Sequence, residues 1–336
     1  MNDLLLNTVN LLPFGLLRSI GYFDPLIVNY HMVSDQKLPH VCNLYKYRDV
    51  KTFIEDMDFF VRNFHIIGLQ ELLEHIKFNH KLPKNSFLLT FDDGFRELYE
   101  IAAPVLLEKK ITATIFITKN YLDNTELGYD NKRSLLIDRL TNRKDHKAEK
   151  DVCSLLEQHN LSGKDLVTSI LNVPYAKRQL IDEIGNLLHV DYNEFLKLHH
   201  PYITSGQVQE LINEGITFGG HSLDHPRFTE LMPEDQLNQA ISSVEFLCDK
   251  FNLNYRVFAF PYSDNSIPVT FFDAVSNKLD ATFGNQGMYH DSVLTNIQRI
   301  SVEKFKCSAS EAVKYQYAKK IVYQLFNKQK INRNFV

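Results

Sequence analysis

The chain has 336 residues, 44% of them hydrophobic and 23% charged, with a formal net charge of −4. This composition supports a sizeable core and gives no electrostatic case for a nucleic-acid partner. No apolar run approaches the length needed to span a bilayer. Four scattered cysteines, Cys42, Cys153, Cys248 and Cys307, form no C-x-x-C pair and read as free thiols.

In chain order, residues 1–22 are apolar but interrupted by Asn2, Asp3, Asn7, Asn10 and Pro13, with no basic leader. They read as mature sequence rather than a signal peptide, so the expected location is the cytoplasm or the membrane periphery. A strand-like run, Leu26-Ile27-Val28-Asn29-Tyr30, comes next. Residues 50–64 show helical spacing, with Phe53, Met57, Phe60 and Val61 on one face. The run Phe87 to Phe91 reads as a strand, 97–110 as a helix, and the β-branched, alternating 112–117 as another strand. Further on, 216–218 reads as a strand, followed by a long helix opened by Pro233 and a strand at 255–260. A helix near 268–278 and strands at 281–283 and 297–302 complete the series. Alternating strands and helices predict an α/β fold with a largely parallel sheet or barrel of about seven strands. Residues 129–205 break the alternation: they carry helical patches and no strand, and read as a helical insertion within a single domain spanning 1–336.

Two segments carry ligand-type side chains at the ends of predicted strands. Thr90-Phe91-Asp92-Asp93-Gly94 follows one apolar run, and His221-Ser222-Leu223-Asp224-His225 follows another. In parallel α/β folds the C-terminal strand edge is where sites assemble. Asp-Asp alone is commonly a turn or helix cap, and H-x-x-x-H alone is commonly a surface pair. Together they offer one carboxylate and two imidazoles, a set that leaves a metal with an open position, plus a second carboxylate as base. That combination predicts a metal-dependent hydrolase. The donors suit Zn²⁺ first, and also Co²⁺, Ni²⁺ or Fe²⁺. Gly219 and Gly220 would let the backbone pass close to the metal.

T-F-D-D-G followed by H-S-x-x-H resembles the polysaccharide deacetylase family, the NodB-homology carbohydrate esterases, over roughly residues 26–302. The resemblance implies a distorted (β/α) barrel and removal of N-acetyl groups from an N-acetylhexosamine-containing polysaccharide or glycan precursor. It assigns the general base to Asp92 and the metal ligands to Asp93, His221 and His225. Phe260-Pro261-Tyr262-Ser263 matches the family's Pro-Tyr-Gly motif, which makes the Tyr262 backbone N–H the candidate oxyanion donor.

The chain departs from the pattern at three places. Where many members carry a base-orienting arginine it has Ala259, and strand alternation sends Arg256 to the other face. The final glycine of the Pro-Tyr-Gly motif is Ser263. The strand Asn296-Ile297-Gln298-Arg299-Ile300 lacks the family's general-acid histidine, so His31 is the candidate acid and His290 a weaker one.

Tryptophan is absent, so sugar stacking would fall to residues such as Tyr262 or Phe228. The alternative readings are a catalytically impaired, metal-containing glycan-binding protein and an O-acetyl esterase. The basic, amphipathic C-terminal stretch, 314–336, reads either as a closing helix with a solvated tail or as a peripheral membrane contact.

Overall fold

The computed structural model describes residues 12–303, 305, 307–326 and 330–333. Most of the N-terminal apolar segment, residues 1–11, therefore lies outside the described residues.

Eleven strands occur among the described residues: β1 Leu26–Tyr30, β2 His65–Ile66, β3 Ser86–Phe91, β4 Ala113–Ile117, β5 Thr217–Gly220, β6 Val257–Ala259, β7 Ala281–Gly284, β8 His290–Asp291, β9 Asn296–Gln298, β10 Ile300–Ser301 and β11 Lys330–Ile331. The main sheet runs β10-β1-β3-β4-β5-β6-β7-β9, with β2 paired to β3, and every pairing is parallel. The path thus holds eight strands rather than seven. The extra one has a simple origin. β9 pairs with β7 and β10 pairs with β1, and only Arg299 separates the two. One chain segment therefore joins both edges of the sheet and brings it nearly to closure as a distorted barrel.

Strand alternation divides the apolar residues into two groups. Leu26, Val28, Tyr30, Leu89, Phe91, Ala113 and Ile115 face outward and pack with Phe53, Met57 and Phe60 of the helix Val50–Asn63. Val61, expected on that face, is 43% exposed instead. Ile27, Leu88, Phe116, Val257, Ala259, Ala281 and Phe283 fill the barrel interior. Above this apolar plug, toward the C-terminal strand ends, the inward positions turn polar: Asn29, Thr90, Asp92 and Arg299 are all buried.

The expected helix at 97–110 begins as a π-helical turn, Leu98–Ala102, and becomes α-helical only over Ala103–Glu108. Pro104, which has no N–H to donate, stands at that junction. Between β4 and β5 the chain is helical, as expected, with helices Tyr129–Asn142, His146–Gln158, Leu166–Leu171, Gln179–Leu187 and Tyr192–His199. They enclose an apolar cluster of their own, including Leu136, Val152, Leu156, Ile170, Ile181 and Ile184.

The helix Ala309–Leu325 packs on the barrel through Ala309, Ala312, Val313 and Tyr317. The tail beyond it is not simply solvated. Arg333 lies in ion pairs with the buried carboxylates of Asp264 and Asp291, its side chain 2% exposed. Among the described residues no helix is long and apolar enough to cross a membrane.

Candidate active site

The T-F-D-D-G turn sits at the end of β3. Asp92 N–H still donates to the Tyr30 carbonyl, as the ladder requires, and then the backbone reverses. Asp93 and Gly94 take left-handed conformations, φ 72° and 78°. A left-handed aspartate is uncommon, and a second such residue in succession favours glycine. The reversal points Asp92 into the barrel and Asp93 to the rim.

The second motif leaves β5 as a tight loop rather than a helical turn. His221 N–H continues the ladder to the Ile117 carbonyl, and Ser222 and His225 are left-handed, φ 73° and 63°. Ser222 Oγ accepts from the His225 N–H at 2.9 Å, which ties the two ends of the loop. The two rings finish with centroids 5.0 Å apart. Gly219 and Gly220 have a different role from the one expected. A Cβ on Gly219 would meet Val257 and Phe116 at 2.7 and 2.8 Å, and one on Gly220 would meet Ser243 and Val244 at 2.7 Å. They admit close packing of neighbouring chain, not close passage to a metal.

Asp93, His221 and His225 converge. Asp93 Oδ1 lies 3.4 Å from His221 Nε2 and 3.3 Å from His225 Nε2. Those spacings match the edge of a tetrahedron around a metal with bonds of about 2.0–2.1 Å. Asp93 Oδ1 is buried and makes no hydrogen bond. Such an oxygen is costly unless something else satisfies it, and both facing nitrogens are of ligand type. His221 Nδ1 stands 2.8 Å from the Ala259 carbonyl, an acceptor, so that nitrogen carries the proton and Nε2 presents its lone pair. The donor set therefore fits a divalent ion. Burial would raise the Asp93 carboxyl, but His225 and His221 outweigh it and hold Asp93 well below the usual carboxylate range.

Asp92 lies beside this set and is held differently. Arg299 Nη1 donates to Oδ1 at 2.7 Å and Nη2 to Oδ2 at 2.8 Å, while Asn29 Nδ2 donates to Oδ2 at 2.7 Å. Arg299 is fully buried, and its Nε and Nη1 also donate to the Gly284 carbonyl and to Thr90 Oγ1, each at 3.1 Å. Burial pushes the Asp92 carboxyl up, yet the Arg299 guanidinium and His221 bring it below its ordinary value. An arginine, absent at position 259 in β6, thus reaches Asp92 from the junction of β9 and β10 instead. Arg256, as expected, is exposed.

His31, just past β1, faces the same cleft. Its Nδ1 is 2.8 Å from Glu303 Oε2, and the other Glu303 oxygen accepts the N–H groups of His31 and Met32. Burial opposes the imidazolium, but Glu303, Asp93 and Asp92 overcome that and push His31 up to about 9. Tyr262 follows β6 in a left-handed turn, φ 57°. Among the described residues its N–H meets no acceptor, while its hydroxyl donates to Asp130 and its ring lies 4.8 Å from that of His225.

Asp92, Asp93, His221, His225, His31 and Tyr262 line one cleft of about 780 Å³, with Arg299 and Asn29 behind Asp92. Tyr129, Asp130, Arg133 and the segment 171–175 form one wall of it, and all of them belong to the helical stretch between β4 and β5. Two expected residues lie elsewhere. Phe228 is 1% exposed and packed among Phe258, Phe260 and Phe271, so it offers no stacking face. His290 packs against Phe23 and does not line the cleft.

Sequence reasoning passed over Arg299, Glu303, Asn29, Tyr45, whose hydroxyl donates to Asp93 Oδ2 at 3.3 Å, and Asp130. Asn29 and Arg299 did carry a signal, as polar residues inside otherwise apolar strands.

A near-closed parallel barrel with a carboxylate–imidazole cluster at its C-terminal mouth defines a class of barrel hydrolases. The family profile described as polysaccharide deacetylase matches residues 79–284, more than half the chain, and the protein belongs to that family. Solved structures share the fold. A Streptococcus pyogenes deacetylase, PplD, solved in complex with acetate, is 16% identical with a TM-score of 0.54, covering 87% of this chain and 97% of that one. IcaB from Ammonifex degensii is 15% identical with a TM-score of 0.54, covering 88% and 97%. A polysaccharide deacetylase from Bacillus cereus is 11% identical with a TM-score of 0.52, covering 88% and 68%. No curated protein sequence matches the chain.

Proposed function

We propose that the protein is a metal-dependent hydrolase that removes N-acetyl groups from an N-acetylhexosamine-containing glycan, releasing acetate and a free amine. The observation that carries this reading is the adjacency of two carboxylates with opposite tasks. Asp93 offers an unpartnered oxygen to two imidazole nitrogens, while Asp92 is kept ionised and oriented by Arg299.

Asp93, His221 and His225 would hold the ion. Bound there, a divalent ion, Zn²⁺ foremost, supplies Lewis-acid polarisation of the acetamide carbonyl and lowers the pKa of water toward ~7. Asp92 takes the proton of the attacking water. Its lowered pKa keeps it ionised and ready at neutral pH, and the Arg299 fork fixes its position. The Tyr262 N–H donates to the oxyanion as the carbonyl carbon becomes tetrahedral. His31, protonated at neutral pH through Glu303, delivers a proton to the leaving nitrogen. We read the helices between β4 and β5 as an insertion in a single domain, since they wall the cleft.

A non-catalytic, glycan-binding relative was the main alternative because partners for base and acid were missing. Arg299 and Glu303 stand in those places, which favours catalysis. The test is acetate release from N-acetylglucosamine oligomers by the metal-reconstituted protein. Release above that of His221→Ala supports the reading. Failure on these oligomers, on O-acetyl sugars and on lipid-linked sugars, with metal bound, would sink it.

A further inference from the structure

The turn that carries Tyr262 is anchored from the far end of the chain. It lies between β6 and the helix Val269–Val275, and two residues past Tyr262 stands Asp264, which is fully buried. The Asp264 carboxylate accepts from Asn296 Nδ2 at 2.9 Å, Gln298 Nε2 at 2.6 Å and the Asn285 N–H at 3.2 Å. A Cβ on Gly284 would overlap that carboxylate, so the loop sits directly against the end of β7. Arg333 completes the anchor. Its Nη1 donates to the Asp264 carbonyl at 2.5 Å and to the Ile267 carbonyl at 3.4 Å, and its Nη2 donates to the Asp264 carboxylate. The same side chain reaches Asp291, with Nη2 donating to Oδ2 at 2.6 Å. Asn296 and Gln298 each donate to both carboxylates, so two negative charges share one set of amides. Two buried carboxylates stay ionised side by side only with a cation between them. Burial would raise the Asp264 carboxyl, but Arg333 and Gln298 outweigh it and hold it below its ordinary value. Arg333 is fixed in turn by the tail. Its N–H donates to Ser292 Oγ at 3.1 Å, and the Ser292 N–H donates to the Ile331 carbonyl at 2.9 Å, where β11 pairs with β8.

We infer that Arg333 is a positioning residue for the reaction, fixing through Asp264 the turn that aims the Tyr262 N–H at the oxyanion. This rests on the deacetylase reading above. Tyr262 is left-handed, φ 57°, and the Ser263 N–H closes back on the Pro261 carbonyl at 2.7 Å. A tyrosine in that conformation is strained and persists only where the surrounding structure holds it. Upstream, the ladder bond from the Phe260 N–H to the Phe283 carbonyl ties the chain at 3.0 Å. Downstream, the backbone is first tied to other elements at Asp264, and Arg333 grips both the carbonyl and the carboxylate of that residue. A main-chain donor serves an oxyanion only if it is aimed before the charge develops. Loosening Asp264 lets the turn relax and turns the N–H away. Asp93, His221 and His225 come from the ends of β3 and β5, so metal binding does not depend on Arg333.

The experiment measures kcat, KM, the pH–kcat profile and metal content for acetate release from an N-acetylglucosamine oligomer. The proteins are metal-reconstituted wild type, Arg333→Lys, Arg333→Gln and Asp291→Asn. Arg333→Lys keeps a charge between the two carboxylates, so it folds even where Arg333→Gln does not, but it loses the fork on Asp264. Its kcat should fall about tenfold with KM within about twofold, metal content unchanged and both limbs of the pH profile in place. Arg333→Gln should lose at least as much. Asp291→Asn disturbs the same cluster yet leaves Arg333 on Asp264, so its kcat should stay within about twofold of the wild type. A fall in Asp291→Asn equal to that in Arg333→Lys would mean a general loosening of the barrel and overturn the inference. So would an unchanged kcat in Arg333→Lys, a loss carried by KM, or a moved acidic limb, the mark of an effect through Arg299 and Asp92. Each of these leaves the deacetylase intact. No acetate from a wild type with its metal in place overturns the deacetylase reading and this inference with it.

Discussion

Arg299 grips Asp92 through two parallel hydrogen bonds of 2.7 and 2.8 Å; Arg299 is fully buried, and Asp92 is buried but reaches the cleft. The pair lies where the barrel closes, so the segment that joins the two sheet edges also orients the base. Arg299→Lys keeps the charge but loses the fork. Breaking a buried pair outright costs about 3–5 kcal/mol. For Arg299→Met we expect a fall in stability of that order, read by chemical unfolding. For Arg299→Lys we expect a smaller loss of stability and at least about a tenfold loss of kcat. Asp92 acts when ionised, so activity is lost as pH falls through its pKa. With the fork gone that pKa rises, and the acidic limb of the rate profile moves to higher pH.

The His31–Glu303 contact predicts the opposite limb. His31 acts when protonated, and its pKa is pushed up to about 9, so this pair supports activity below that value and loses it as pH rises through it. In Glu303→Gln the carboxylate charge is gone, while an oxygen still accepts the two backbone N–H groups. The alkaline limb should therefore shift to lower pH with the acidic limb unmoved. A pH–kcat profile that keeps its alkaline limb in Glu303→Gln would remove His31 as the acid. The same shift contributes to stability: it is fully present below about 6.5 and fades as pH rises through about 9.

The metal prediction separates binding from chemistry. Chelation should abolish acetate release and lower the melting temperature, because an ion that binds only the folded state stabilises it. His221→Ala and Asp93→Ala should each lose the bound ion, measured by elemental analysis. Retention of stoichiometric metal by Asp93→Ala would contradict the ligand assignment.

A fourth expectation concerns the C-terminal end. Arg333 satisfies Asp264 and Asp291, which are buried along with Asn296 and Gln298. Arg333→Met should destabilise the barrel by about 3–5 kcal/mol, since it strands two carboxylates inside. Chemical unfolding checks this, and a change under about 1 kcal/mol would mean that the tail is ornamental.

The legible parts of this chain were those with short-range causes. Phe87 to Phe91 and the alternating run ending at Ile117 are apolar strands whatever surrounds them, and the amphipathic spacing at 50–64 needs a sheet to cover. The two motifs stood out because ligand-type residues ended apolar runs. What stayed hidden was long-range. Arg299 is 207 residues from Asp92 and Glu303 is 272 from His31. Only barrel closure brings those pairs together, and no local pattern reports it. Of Arg299 and Glu303, Arg299 alone offered a hint, since a charge inside an otherwise apolar strand must find a buried partner. Phe228 and Val61 show the converse limit. Local pattern placed one at the surface and the other in the core, and tertiary packing reversed both.

The most direct measurement is acetate release from an N-acetylglucosamine oligomer by metal-reconstituted wild type beside Asp92→Asn, with metal content determined for both. The account predicts release by the wild type, and at least about a hundredfold loss in Asp92→Asn at unchanged metal content. Equal rates for the two proteins, or no release by a wild type with its metal in place, would contradict it.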